Sequence, residues 1–124
     1  MTTSARSGVI HVTDAQGDVP GLAGEHAVRV LQRGTLDAQL SLGRFVPRQG
    51  QPTTHEKDEV YVIIHGRGVF LHDGRRDPFG PGDLLFVAAG VEHRFEDFTE
   101  DLTVWVFFYG ARGGEVPVGG DGTA

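Results

Sequence analysis

Along the chain, apolar residues alternate with polar ones or gather in short runs, the signature of strands, and they do not recur at helical spacing. The pattern predicts strands at 9–12, 27–31, 36–45, 60–65, 68–72, 83–87, 93–95 and 102–109. Short turn clusters separate most of them. "HGRG" and "HDGRR" read as hairpin turns, because Gly66 and Gly74 can supply the positive φ that tight connections need. A series of short strands joined by glycine turns predicts an all-β sandwich or barrel.

The alternation also assigns faces. In "EVYVIIH" Glu59, Tyr61, Ile63 and His65 share one side and Val60, Val62 and Ile64 the other. In "LTVWVFFY" Thr103, Trp105, Phe107 and Tyr109 oppose Leu102, Val104, Val106 and Phe108. Both sides are largely apolar in both segments, so both should be covered, one filling a barrel and the other meeting a second sheet or subunit. A homodimer is the expected assembly.

The chain of 124 residues suits one domain. Its 19 glycines and 6 prolines fit a turn-rich fold. The polar stretch 1–8 and the glycine-rich stretch 111–124 read as flexible tails around a domain at 9–110. The formal net charge is −6, and no basic face is visible to neutralise phosphates, so a nucleic-acid partner is not expected. The chain has no cysteine, which leaves only nitrogen and oxygen ligands for any metal. No run of apolar residues is long enough for a membrane span, and the N-terminus lacks the apolar core of a secretory signal, so the expected location is cytoplasmic.

Candidate chemistry concentrates in "QPTTHEKDEVYVIIHGRG", residues 51–68. His55 and Glu59 stand four apart, but Pro52 and the run "VYVII" argue for a strand, so a bend between them must bring them together. Downstream, "GPGDLLFVAAGVEHRFED" offers His93 after a strand and a turn at Ala89 and Gly90. On residue type alone, His55 and Glu59 fit either a metal pair or a water-facing hairpin, and His93 either a ligand or a partly buried histidine bonded to backbone.

In this order the residues resemble the two motifs of the cupin superfamily, in its small single-domain "cupin 2" form. Thr53, His55, Glu59 and Gly66 fall on the last four positions of the first motif, with Thr53 replacing its first histidine. Gly82, Ala88, Gly90, His93 and Asp97 fall on the second, where Ala88 and Asp97 depart from the usual proline and asparagine. The resemblance implies a jelly-roll barrel, the double-stranded β-helix, in which His55, Glu59 and His93 project inward and hold one divalent metal ion. With Thr53 in place of a histidine, two imidazoles and one carboxylate remain, a facial triad with open positions that suits Fe(II) and also Mn, Ni or Zn. Water, a substrate, Gln51 or the Thr53 hydroxyl could fill an open position.

Tyr61 follows Glu59 on the same face and is the candidate catalytic residue, a hydrogen-bond donor or acid, or else a core aromatic with its hydroxyl near the rim. His65 ends its strand, where exposure is expected over ligation, and His72, His11 and His26 read as structural or exposed. Phe45, Phe86, Phe95, Trp105 and Phe107 read as packing, and Arg44 and Arg94 as partners of nearby acids or as binders of a substrate carboxylate. The expected function is that of a metal-dependent enzyme on a small organic molecule, dioxygenase-like or an isomerase or lyase. The alternative is a non-catalytic module that binds or senses a small molecule.

Overall fold

The computed structural model describes residues 7–19, 27–43 and 54–118. They form one short helix, α1 (Val12–Asp18), and eight strands: β1 (Ala27–Arg33), β2 (Leu36–Leu42), β3 (Asp58–His65), β4 (Gly68–His72), β5 (Arg75–Phe79), β6 (Leu84–Val87), β7 (His93–Glu96) and β8 (Thr103–Tyr109). One sheet has the order β1-β2-β8-β3-β6 and the other β5-β4-β7. Every pairing is antiparallel. The fold is the all-β, two-sheet jelly roll expected from the sequence. Among the described residues, no helix is long and apolar enough to cross a membrane.

The side-chain alternation places the core. On β3 the burial repeats with period two, so Glu59, Tyr61 and Ile63 point between the sheets. Val104 and Val106 of β8 meet them from the same sheet, and Phe70 and Phe79 from the other. The opposite face of β8 is also covered. Trp105 and Phe107 pack with Ala38, Leu40 and Leu42 of β2 under Ala15 and Val19, which lie in and beside α1. Part of the expected second cover thus comes from within the chain. Leu84 and Phe86 on β6 stay exposed at 63% and 47%, so Phe86 is not a packing residue here.

Three local readings need correction, and one hairpin is as expected. The predicted strand at 9–12 gives way to α1, since Val12, Ala15 and Val19 form an apolar stripe at helical spacing that docks on β1 and β2. Strand β5 escaped prediction because only Phe79 of "RRDPF" is buried, and its charges and Pro78 suit a sheet edge. "HGRG" is not a hairpin. β3 pairs with β8 and β6, while β4 pairs with β5 and β7, so residues 66–67 carry the chain from one sheet to the other. Gly66 has φ +98°, and a Cβ there would lie 2.7 Å from Leu102 Cα. "HDGRR" is a two-residue hairpin, with Asp73 and Gly74 both at positive φ. Finally, Phe45, Gln51, Thr53, Arg44 and His26 lie outside the described residues, so the predicted strand at 36–45 is seen as β2 alone.

Candidate metal centre

His55 and His93 are far apart in sequence, and backbone contacts stitch their segments together. The His55 carbonyl accepts the Gly90 N–H at 2.8 Å, and the turn before β7 closes through Val91 N–H to the Ala88 carbonyl at 3.1 Å. Asp58, buried at the start of β3, accepts Ala89 N–H through Oδ1 and Glu115 N–H through Oδ2, each at 2.9 Å. A buried carboxylate is stable when its oxygens are so bonded. Residues 111–118, expected in the tail, form no regular element, yet they tie down this bend. Gly113 N–H donates to the Glu56 carbonyl at 2.7 Å, and Arg112 pairs with the Glu56 carboxylate.

These constraints bring one ligand atom from each of His55, Glu59 and His93 within 4.8 Å of one another. Glu59 Oε1 lies 3.3 Å from His93 Nε2 and 3.6 Å from His55 Nε2. The Glu59 and His93 side chains are buried, while that of His55 is 42% exposed, so the group opens to solvent on the His55 side. His93 Nδ1 lies 2.9 Å from the Val91 carbonyl. A carbonyl accepts only, so Nδ1 carries a proton, and Nε2 is the nitrogen that faces Glu59, to hold either a second proton or a metal ion. His93 titrates above the ordinary histidine range. Burial, the largest influence, favours the neutral ring, but Glu59 and the Val91 carbonyl outweigh it.

Glu59 divides its two oxygens. Oε2 accepts the Tyr61 hydroxyl at 2.6 Å, whereas buried Oε1 has no hydrogen-bond partner among the described residues. An unpaired, buried carboxylate oxygen is costly. Here it faces two imidazole nitrogens, a donor set that fits a divalent cation with nitrogen and oxygen ligands. The Tyr61 hydroxyl also lies 3.2 Å from His93 Nε2. Burial first, then the Glu59 charge and hydrogen bond, push the phenol well above its usual range, so it stays protonated and donates.

Aromatic rings wall the site. Phe108 lies 5.1 Å from the His55 ring, and Phe95 meets Tyr61 edge-on at 5.0 Å. Of the other residues singled out from sequence, His65 and His11 are exposed and outside the group. Arg94 pairs with the buried Glu96, which also holds Arg76. His72, read from the sequence as structural or exposed, proves structural. It is the cross-strand partner of His93, stacks on Phe70 at 5.2 Å and pairs through Nε2 with Asp77 at 2.7 Å. Its position two residues after Phe70, on the same strand face, was the available signal.

The family model of the Cupin domain matches residues 43–109. The chain belongs to the Cupin domain family. Among curated proteins, this cupin is 37% identical over 54 residues to an uncharacterised protein of Streptomyces coelicolor, covering 44% of this chain and 51% of that protein. It is 44% identical over 45 residues to an acireductone dioxygenase of Rhodopseudomonas palustris, covering 33% of this chain and 27% of that enzyme. The matched stretches therefore span about half of the first relative and about a quarter of the second. A cupin 2 conserved barrel protein of Salinispora arenicola superimposes with a TM-score of 0.62 at 18% identity, over 86% of this chain and 92% of that one. That likeness speaks for the fold.

Proposed function

We propose that this cupin is a metal-dependent enzyme acting on a small organic molecule, with His55 Nε2, Glu59 Oε1 and His93 Nε2 as the protein ligands. The observation that carries the reading is Glu59 Oε1, buried between two imidazoles and without a hydrogen-bond partner among the described residues. A bound divalent ion, Fe, Mn, Ni or Zn, supplies Lewis-acid polarisation of a substrate oxygen and, where it is iron, reactivity towards O₂.

The chain's own residues supply the rest. Val91 fixes the His93 tautomer, Phe108, Phe70 and Phe95 limit water, and the exposed His55 side leaves room for substrate. His72 and, beyond it on β5, the exposed Arg75 continue the row of His93 towards the sheet edge, where a substrate carboxylate would find a partner. A small organic anion is the proposed substrate class. The partial likeness to an acireductone dioxygenase favours an oxygenase, with isomerase or lyase chemistry as the close variant.

The test is elemental analysis of untagged protein beside folded His55→Ala and His93→Ala variants, followed by O₂ uptake with candidate organic anions. Near-stoichiometric metal lost in both variants is the expected result. Metal without O₂ uptake turns the assignment to an isomerase or lyase. A wild type that refuses Fe(II), Mn(II), Ni(II) and Zn(II) alike would falsify the metal-enzyme reading and leave a binding module.

A further inference from the structure

We propose that Tyr61 is a positioning residue that selects which oxygen of Glu59 meets the metal. The inference rests on the metal centre proposed above and adds a role for a residue that is not itself a ligand.

A carboxylate turns easily about its last bond and can offer a metal one oxygen or both. Glu59 lacks that freedom. Its Oε2 is engaged by the Tyr61 hydroxyl at 2.6 Å, the short separation of a charge-assisted O–H···O bond. Oε1 is thereby turned towards His55 and His93. Tyr61 can hold this geometry because its own ring is held, edge-on to Phe95 at 5.0 Å and to Phe70 at 5.9 Å.

The hydroxyl has one proton and two neighbours. His93 Nε2 lies 3.2 Å away, but it is a metal-facing atom, so the hydroxyl keeps its proton and donates it to Oε2. Strand geometry sets the direction. Tyr61 stands one inward position beyond Glu59 on β3, on the side of Ile63 and the apolar core, so it grips the carboxylate from inside the barrel. Glu59 is then a one-oxygen ligand, and the free coordination positions lie on the opposite, His55 side. A phenol occupied in this way orients a ligand and does not donate its proton to substrate.

The experiment titrates Co(II) into the metal-free full chain, following both heat and the visible absorption of the bound ion. Two donor-free variants are compared with wild type, Tyr61→Phe and Tyr61→Met, so that one misfolded variant does not end the test. A third replaces Tyr61 with 4-aminophenylalanine, which retains an N–H donor. Loss of the donor should weaken Co(II) binding by about 10- to 100-fold, as for other outer partners of metal ligands. It should also alter the visible bands, as Glu59 becomes free to bind through both oxygens, and the 4-aminophenylalanine variant should recover most of the affinity. A donor-free variant with wild-type affinity and an unchanged spectrum would overturn the positioning role and leave the metal centre standing. A wild type that takes up no Co(II) would remove both.

Discussion

The interior of the barrel has two ends that share strands and differ in chemistry. On β3, successive inward residues run from Glu59 through Tyr61 to Ile63, from the polar group to the packed core. At the Ile63 end Phe98, Leu102 and Val104 close the space. The chain is so tight there that a Cβ on Gly68 would lie 2.8 Å from Phe79 Cζ. At the Glu59 end, buried carboxylate and imidazole stand beside a partly exposed His55, and one carboxylate oxygen has no hydrogen-bond partner among the described residues. The packed end satisfies folding alone. Among the described residues the polar end leaves that oxygen unsatisfied, which is how a candidate binding site differs from a core. Tyr61 joins the two, its ring in the aromatic core and its hydroxyl on Glu59.

Substitutions should separate these ends. Ile63→Ala should cost about 2–5 kcal/mol of stability in a urea titration, with the folded fraction still taking up metal. Gly66→Ala should follow at about 2–4 kcal/mol, because a side chain there meets both an unfavourable φ and the Leu102 backbone. Glu59→Gln should reverse the pattern. Stoichiometric metal uptake disappears, while stability changes by only about 1–2 kcal/mol, since the amide oxygen can still accept from Tyr61. A Glu59→Gln protein that unfolds as readily as Ile63→Ala would show that the two ends are not separable.

The smallest effect is in pH. His93 binds its proton more tightly folded than unfolded, so its contribution to metal-free stability is complete below the ordinary histidine value and lost as pH rises through the raised folded value. Metal uptake runs the other way, because the ion replaces that proton, and affinity should increase over the same range. Melting of metal-free protein from about pH 5 to pH 9, with proton release measured on metal addition, checks both directions. A metal affinity independent of pH would count against His93 Nε2 as a ligand.

Much of this was legible in the chain. The β3 and β8 patterns name their inward residues, and the ordered motifs group His55 and Glu59 with His93, whose ligand atoms the fold brings within 4.8 Å. Periodicity reads faces well where a strand is buried. It failed at β5, which buries one residue, and at α1, too short for its stripe to stand out beside the alternating "VIHV". It also missed the passage of residues 66–67 between sheets, because glycines mark a turn without saying which strands it joins.

The sequence by itself determined the all-β class and the inward alternation on β3, since these depend on residue type and local spacing, and its resemblance to the two cupin motifs named His55, Glu59 and His93 as candidate donors. Only the tertiary structure decided that Glu59 gives one oxygen to Tyr61 and leaves the other facing two imidazoles. It alone placed His72 beside His93 and used Asp58 to pin the 88–91 turn to residue 115. Such choices rest on distances between atoms of different strands and loops, and those are set by how the two sheets pack, which no local pattern encodes.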